Sequence, residues 1–370
     1  MTARTLKTFG ALTAVALAAG AILTPTIASA LSLEGKKVTA IVPFKEGGGT
    51  DKIVRMFAPY FEKYLPGNPT VIVRNMPGGG SIRGNNWFHN SAKPDGLTYT
   101  GVSTSSQTGF VLAGKKVKYN LKAWRYILST PRGTVVYSRP DTGVKGKDVG
   151  ADIKALRKTA IVTGAKNPTS AELRLFLAME LLGIKNVKPV FGLSTGKQRK
   201  AIIRGELNIN YDSGGSYLKK VMKYVKKGTL VPVMTLGYTA KDGSIVRDPA
   251  YPNMPNIVDA YKAVNGGKHP SEKGILWAAY KNFYSMGVMT SKGFALPPKT
   301  PKKIVAAYIG AAKKIIKDKK FWKIAKKRLG NYPIDFGTDA KANFMAAIDV
   351  KPEVKAFMKK FVKEKFDANI

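Results

Sequence analysis

Between Val38 and Ser106 the chain alternates short β-rich runs with amphipathic stretches. Val38 to Phe44 is rich in β-branched and apolar residues and breaks at Gly47-Gly48-Gly49. Thr50 and Asp51 are good helix-capping residues, and Ile53, Val54, Phe57 and Phe61 then recur at helical spacing until Pro66-Gly67. Pro59 predicts a kink in that helix. Thr70 to Val73 predicts a second strand, followed by Pro77-Gly78-Gly79-Gly80-Ser81 and a short helix through Trp87. After the turn at Pro94-Asp95-Gly96, Leu97 to Val102 predicts a third strand, which runs into Ser103-Thr104-Ser105-Ser106.

The same grammar returns further on. Ala160 to Gly164 leads through Asn167-Pro168-Thr169-Ser170 into an apolar helix from Ala171 to Leu182. Val187 to Phe191 leads into Gly192-Leu193-Ser194-Thr195-Gly196, and Leu207 to Tyr211 into Asp212-Ser213-Gly214-Gly215-Ser216. From Thr300 the chain reads as lysine-rich helix, with Phe321, Trp322 and Ile324 as its apolar stripe. Alternating β and α elements argue for mostly parallel sheets flanked by helices, and in such sheets ligands bind outside the carboxyl ends of the strands. Two α/β lobes with facing polar rims describe a clamshell.

Composition narrows the chemistry. The 370 residues hold no cysteine, which removes disulfides, thiol catalysis and cysteine-ligated metals. The two histidines, His89 and His269, sit in no recognisable motif. No cofactor and no metal site are expected. The first thirty residues read as a secretory signal peptide: Arg4 and Lys7, an apolar run from Gly10 to Leu23, then Ala28-Ser29-Ala30. The expected product starts near Leu31 and lies in the periplasm.

The formal net charge is +39. The lysines are scattered over every helix and no nucleic-acid-binding signature appears, so nucleic acid is not an expected partner. The charge reads instead as a solvated surface with a long-range attraction for anions. Gly192 to Lys197 resembles a phosphate-binding loop, but the spacing is one residue short and Gln198 follows where a hydroxyl is needed. The runs Gly47–Gly49 and Gly78–Gly80 each precede a helix, and backbone N–H groups at the positive end of a helix dipole suit an anion. Asp51 is expected either as an exposed first-turn residue or as an acceptor facing the cleft.

These segments carry a family likeness. Ile41-Val42-Pro43-Phe44-Lys45-Glu46-Gly47-Gly48-Gly49-Thr50-Asp51 resembles the signature of the tripartite tricarboxylate transporter solute-binding proteins. Asn75-Met76-Pro77-Gly78-Gly79-Gly80 and Pro94-Asp95-Gly96-Leu97-Thr98 resemble the second and third signatures, in the same order and spacing. The resemblance implies a periplasmic-binding-protein clamshell of the second type. Lobe one would span 31–130 and 235–370, lobe two 131–234, with hinges near Thr130 and Thr235. It implies a monomeric receptor that binds a small di- or tricarboxylate, mainly through backbone amides, and delivers it to a permease of one large and one small subunit. It does not imply an enzyme.

Carried over residue by residue, the expected ligand contacts in lobe one are Phe44, Gly48, Gly49, Thr50, Asp51, Gly79, Gly80, Ser81, Ser103, Thr104 and Ser105. Those in lobe two are Thr163, Lys166, Asn167, Thr169, Asp212 and Ser213. Lobe two departs from the family: Lys166, Asn167 and Ser170 replace a glycine, a serine and a histidine, and 242–292 reads as an insert. Lys166 is either a solvated lysine or a cation that swings into the cleft to neutralise a second carboxylate. The competing readings are an exported hydrolase or transferase, which would need a nucleophile–base pair, and a sensor lobe, which would bind identically.

Overall fold

The computed structural model describes residues 1–2, 31–240, 242–330 and 332–370. The signal peptide expected over 1–30 therefore lies outside the described residues, apart from the first two. β1 (Lys37–Val42) is buried from Ala40 to Val42, as a strand covered on both faces must be. α1 (Gly49–Tyr64) follows and buries Ile53, Val54, Phe57 and Phe61, the helical stripe read from the sequence. Its capping position is Gly48, so Thr50 and Asp51 stand in the first turn and not at the cap. β2 (Thr70–Asn75) and, after α2 (Ile82–Ser91), β3 (Thr98–Ser103) both pair with β1 in parallel. The Ser/Thr cluster after β3 is helical: it opens α3 (Thr104–Leu112), with the Ser103 hydroxyl accepting from the Ser106 amide. β4 (Arg125–Thr130) ends the first passage.

Residues 131–133 cross into lobe two, where β5 (Thr134–Ser138) begins. There follow α4 (Val149–Lys158), β6 (Ile161–Gly164), α5 (Leu173–Leu181), β7 (Val187–Val190), α6 (Thr195–Arg204) and β8 (Ile209–Ser213). α7 (Gly214–Ser216) and α8 (Met222–Lys226) are joined through a π turn and lead to β9 (Val231–Thr235). β8, β5 and β9 form an antiparallel sheet, while β6 and β7 form a parallel pair beside it. Asn208 stitches the two: its amide donates to the Val162 carbonyl at 3.0 Å, and its side-chain oxygen accepts from the Val162 amide at 2.8 Å.

At Leu236 the chain stands at the lobe border, its amide donating to the Thr134 carbonyl. A hairpin of β10 (Tyr238–Thr239) and β11 (Ile245–Val246) follows. α9 (Ile257–Val264) then packs back on α4 and β9 of lobe two. α10 (Ile275–Val288) lies against α5 on one side and α3 on the other, and β12 (Lys292–Leu296) inserts between β3 and β4. α11 (Lys302–Ile315), α12 (Lys319–Leu329), β13 (Asp335–Phe336), α13 (Gly337–Ile348) and α14 (Pro352–Phe366) complete the chain.

The large sheet reads β13-β4-β12-β3-β1-β2. Its β2-β1-β3 part is parallel, as the strand–helix alternation requires. β12, which follows α10, runs antiparallel to both β3 and β4. Phe57 of α1 packs its ring 5.0 Å from Phe294 of β12 and 4.8 Å from Phe321 of α12, so the return segment closes the core that β1–β3 leave open. The apolar stripe of α12 is Phe321, Ala325 and Leu329; Ile324, expected in it, is exposed.

Candidate anion-binding cleft

A cavity of about 440 Å³ is lined by both lobes. From lobe one come the loops after β1, β2 and β3: Phe44, Gly48, Gly49 and Thr50, then Gly79, Gly80 and Ser81, then Ser103, Thr104 and Ser105. From lobe two come Lys166, Asp212 and Ser213. Thirteen of the expected residues thus meet on one cavity. Asp51, Thr163, Asn167 and Thr169 do not line it.

Each of those four has a local reason. Asp51 is buried behind its loop, accepting from the Gly47 amide at 2.9 Å, Arg55 Nε at 2.9 Å and Asn75 Nδ2 at 3.0 Å. It is neither exposed nor a cleft acceptor; it clamps the first glycine turn, and Asn75 ties that clamp to β2 by donating to the Phe44 carbonyl. Thr163 is fully buried in β6, its hydroxyl unpartnered. Asn167 spends its side-chain oxygen on the Thr169 amide at 3.0 Å and on the Thr169 hydroxyl, closing a turn. The Asn167 amide nitrogen stands over Gly80 of the opposite lobe, where a Cβ would lie 2.4 Å from it.

The second glycine turn is unusual. Gly78, Gly79, Gly80 and Ser81 all have positive φ, and Ser81, at φ 115, is a strained conformation for a residue with a Cβ. Ser81 is held there by burial and by Asn85 Nδ2, which donates to its hydroxyl at 3.2 Å. Across the cleft, the Ala171 amide at the start of the α5 region donates to the Ser105 hydroxyl at 3.3 Å, linking the two lobes.

Charge enters from lobe two and the crossing segments. The Lys166 ammonium is not solvated; it pairs with buried Glu172. Burial pushes the Glu172 carboxyl up, but Lys166, Ser170 and Gln198 outweigh it and hold it below its ordinary range. Asp212 is paired with Arg199 at 2.9 Å and accepts from the Tyr137 hydroxyl at 3.0 Å, yet burial raises its pKa to about 6. Arg132, Arg174, Arg199, Tyr211, Ser291 and Lys292 also line the cavity and were missed by the reading of the sequence. Arg174 left one signal, a lone arginine in the apolar run Ala171–Leu182; Arg132 and Lys292 left none.

Neither histidine lines the cavity: His89 Nδ1 accepts from Trp124 Nε1 at 3.2 Å, and His269 packs on Trp277. Among the described residues there is no cluster of His, Cys, Asp or Glu that could hold a metal, and no helix long and apolar enough to cross a membrane.

No family model matches the chain, and no curated protein matches it. Solved structures do. The periplasmic binding protein BugD superposes with a TM-score of 0.64 at 19% identity, over 88% of this chain and 97% of that one. MatC from Rhodopseudomonas palustris with bound malate gives 0.61 at 17% identity, over 88% and 98%. Rpa4515 from R. palustris with adipate gives 0.61 at 15% identity, over 89% and 96%. Nearly the whole of each of these chains finds a counterpart here. The fold of this chain is the two-lobed fold of periplasmic binding proteins.

Proposed function

We propose that this protein is an extracytoplasmic receptor of the tripartite tricarboxylate transporter type. It captures a small organic anion between its lobes and delivers it to a membrane permease. The observation that carries the reading is the convergence of two glycine-rich strand-to-helix turns and a hydroxyl-rich helix start on one interlobe cavity that is also lined by cations. Malate and adipate bound to proteins of the same fold support small carboxylates as the ligand class. In the role assigned here, Gly48, Gly49, Gly79 and Gly80 present backbone donors to one carboxylate, and Thr50, Ser81 and Thr104 add donors at its flanks. The role assigned is that of a binder and not a catalyst: of the acidic residues lining the cleft, Asp212 pairs with Arg199 and Glu46 with Arg55, and neither histidine lines it.

Titration calorimetry with malate and adipate tests the reading. Gly49 tolerates a side chain by backbone geometry, since a Cβ there meets only Lys292 Cε at 3.9 Å. A valine at that position should therefore fold and block the approach of a carboxylate, weakening binding by about two decades, the worth of two charge-assisted hydrogen bonds. Unchanged affinity in folded Gly49→Val sinks the assignment of the glycine turn.

A further inference from the structure

Six basic side chains line the cleft: Lys45, Arg132, Lys166, Arg174, Arg199 and Lys292. Lys45 is exposed, Lys166 belongs to Glu172 and Arg199 to Asp212. The other three have no acidic partner among the described residues. Arg132 and Arg174 are about 95% buried, and Arg132 Nε and Arg174 Nε and Nη1 make no hydrogen bond. Buried charge without a counter-charge is costly, so two buried guanidiniums with the half-buried Lys292 beside them imply an anion that joins the three.

The three are also held in place by features other than acids. Arg174 stands in the first turn of α5, where the helix dipole disfavours a cation, yet its guanidinium stacks 4.7 Å from the Tyr211 ring centre. It lies over Gly287 of α10, where a Cβ would fall 1.9 Å from Nη1. Arg132 is pinned through its backbone amide, which donates to the Val288 carbonyl at 2.8 Å, and through Nη2, which donates to the Arg328 carbonyl. Lys292 donates to the Ser291 carbonyl at 2.8 Å. Its pKa is driven well down by burial and by Arg132, Arg174 and Lys166, with Glu172 opposing. Its Cε reaches to 3.9 Å from where a Cβ of Gly49 would stand, so the cluster adjoins the first glycine turn.

We infer that Arg132, Arg174 and Lys292 form a second anionic subsite that takes a head group carrying two negative charges, so that the preferred ligand is a compact trianion. This rests on the receptor reading above and adds to it a charge requirement set by side chains and not by backbone. Two sources supply such a head: a pair of neighbouring carboxylates, or one phosphoryl group. Three donors arriving from three separate elements, the 131–133 crossing, α5 and β12, suit either.

The test is calorimetry of the full chain at one pH and low salt with three probes. Glutarate has a single carboxylate at each end, tricarballylate adds a carboxylate to the same carbon chain, and 4-phosphonobutanoate replaces one carboxylate by a phosphonate. At least one dianion-headed probe is expected to bind tenfold or more tightly than glutarate, and which one does so identifies the head. In Arg174→Met and Lys292→Met that ratio is expected to fall toward one. Equal affinities for all three probes in the unaltered protein overturn the inference and leave the receptor reading standing. Preference unchanged in both variants, once folded, overturns the assignment to these residues. No binding of any probe overturns both readings.

Discussion

The two faces of the cleft solve one problem by different means. Lobe one offers backbone: two glycine turns and a hydroxyl-rich helix start, whose donors are neutral and fixed by chain geometry. Lobe two and the 131–133 crossing, joined by Lys292 at the head of β12, offer charge: Arg132, Lys166, Arg174, Arg199 and Lys292, most of them partly or wholly buried. A backbone site accepts any anion small enough to approach it. A charged site discriminates by charge number, because each unpaired buried cation is relieved only by a matching anion. On the reading proposed above, the comparison separates capture from selectivity, and substitutions on one face at a time test that separation.

The largest expected effect probes whether a paired cation of the charged face is structural. Lys166→Met leaves the Glu172 carboxylate buried without its counter-ion, which should cost about 3 kcal/mol of stability at neutral pH. Denaturant unfolding reads it, and Lys166→Met combined with Glu172→Gln should recover most of the loss. A stability change within ~0.5 kcal/mol in the single variant would return Lys166 to the status of a surface lysine.

Next in size is Gly287→Ala. The new methyl overlaps the Arg174 guanidinium and must push it off Tyr211, although position 287 lies on α10 behind the arginine. Binding of the tighter of the two dianion-headed probes should weaken by about tenfold, about 1.4 kcal/mol, more than that of glutarate. Equal loss for both would mean that the methyl disturbs the cleft as a whole.

A further effect concerns pH. Burial raises the Asp212 pKa from 3.8 to about 6, so between those values the native state holds a proton that the unfolded chain has released. Raising the pH through that window therefore favours the unfolded chain, and this residue's contribution to stability falls, by up to about 3 kcal/mol across the whole window. Unfolding of the unaltered protein and of Asp212→Asn at about pH 4 and about pH 7 isolates it. The stability difference between the two proteins should change across that window; a constant difference would place Asp212 at its ordinary pKa.

The sequence alone was enough for the backbone face. Gly47–Gly49 and Gly78–Gly80 stand directly between a β-rich run and a helical stripe, and glycine adopts without strain the positive φ of Gly78, Gly79 and Gly80. Because those signals are local, the parallel strands β1–β3 and the position of the loops at their carboxyl ends were both legible. Asp51 shows the limit of local reading: its position was clear, but that it clamps Gly47 from behind depends on Asn75 of the neighbouring strand.

The charged face was decided by tertiary structure. Arg132, Arg174 and Lys292 are 42 to 160 residues apart, and no spacing rule joins them. They meet because the chain leaves lobe one at 131–133, sends α5 out and back, and returns through α10 into β12. Among 62 basic residues nothing in the sequence marks which are solvated, which are paired and which are buried without an acid. Burial and pairing are properties of the folded surroundings, and these cations come to line one cleft only when three distant segments fold together around it.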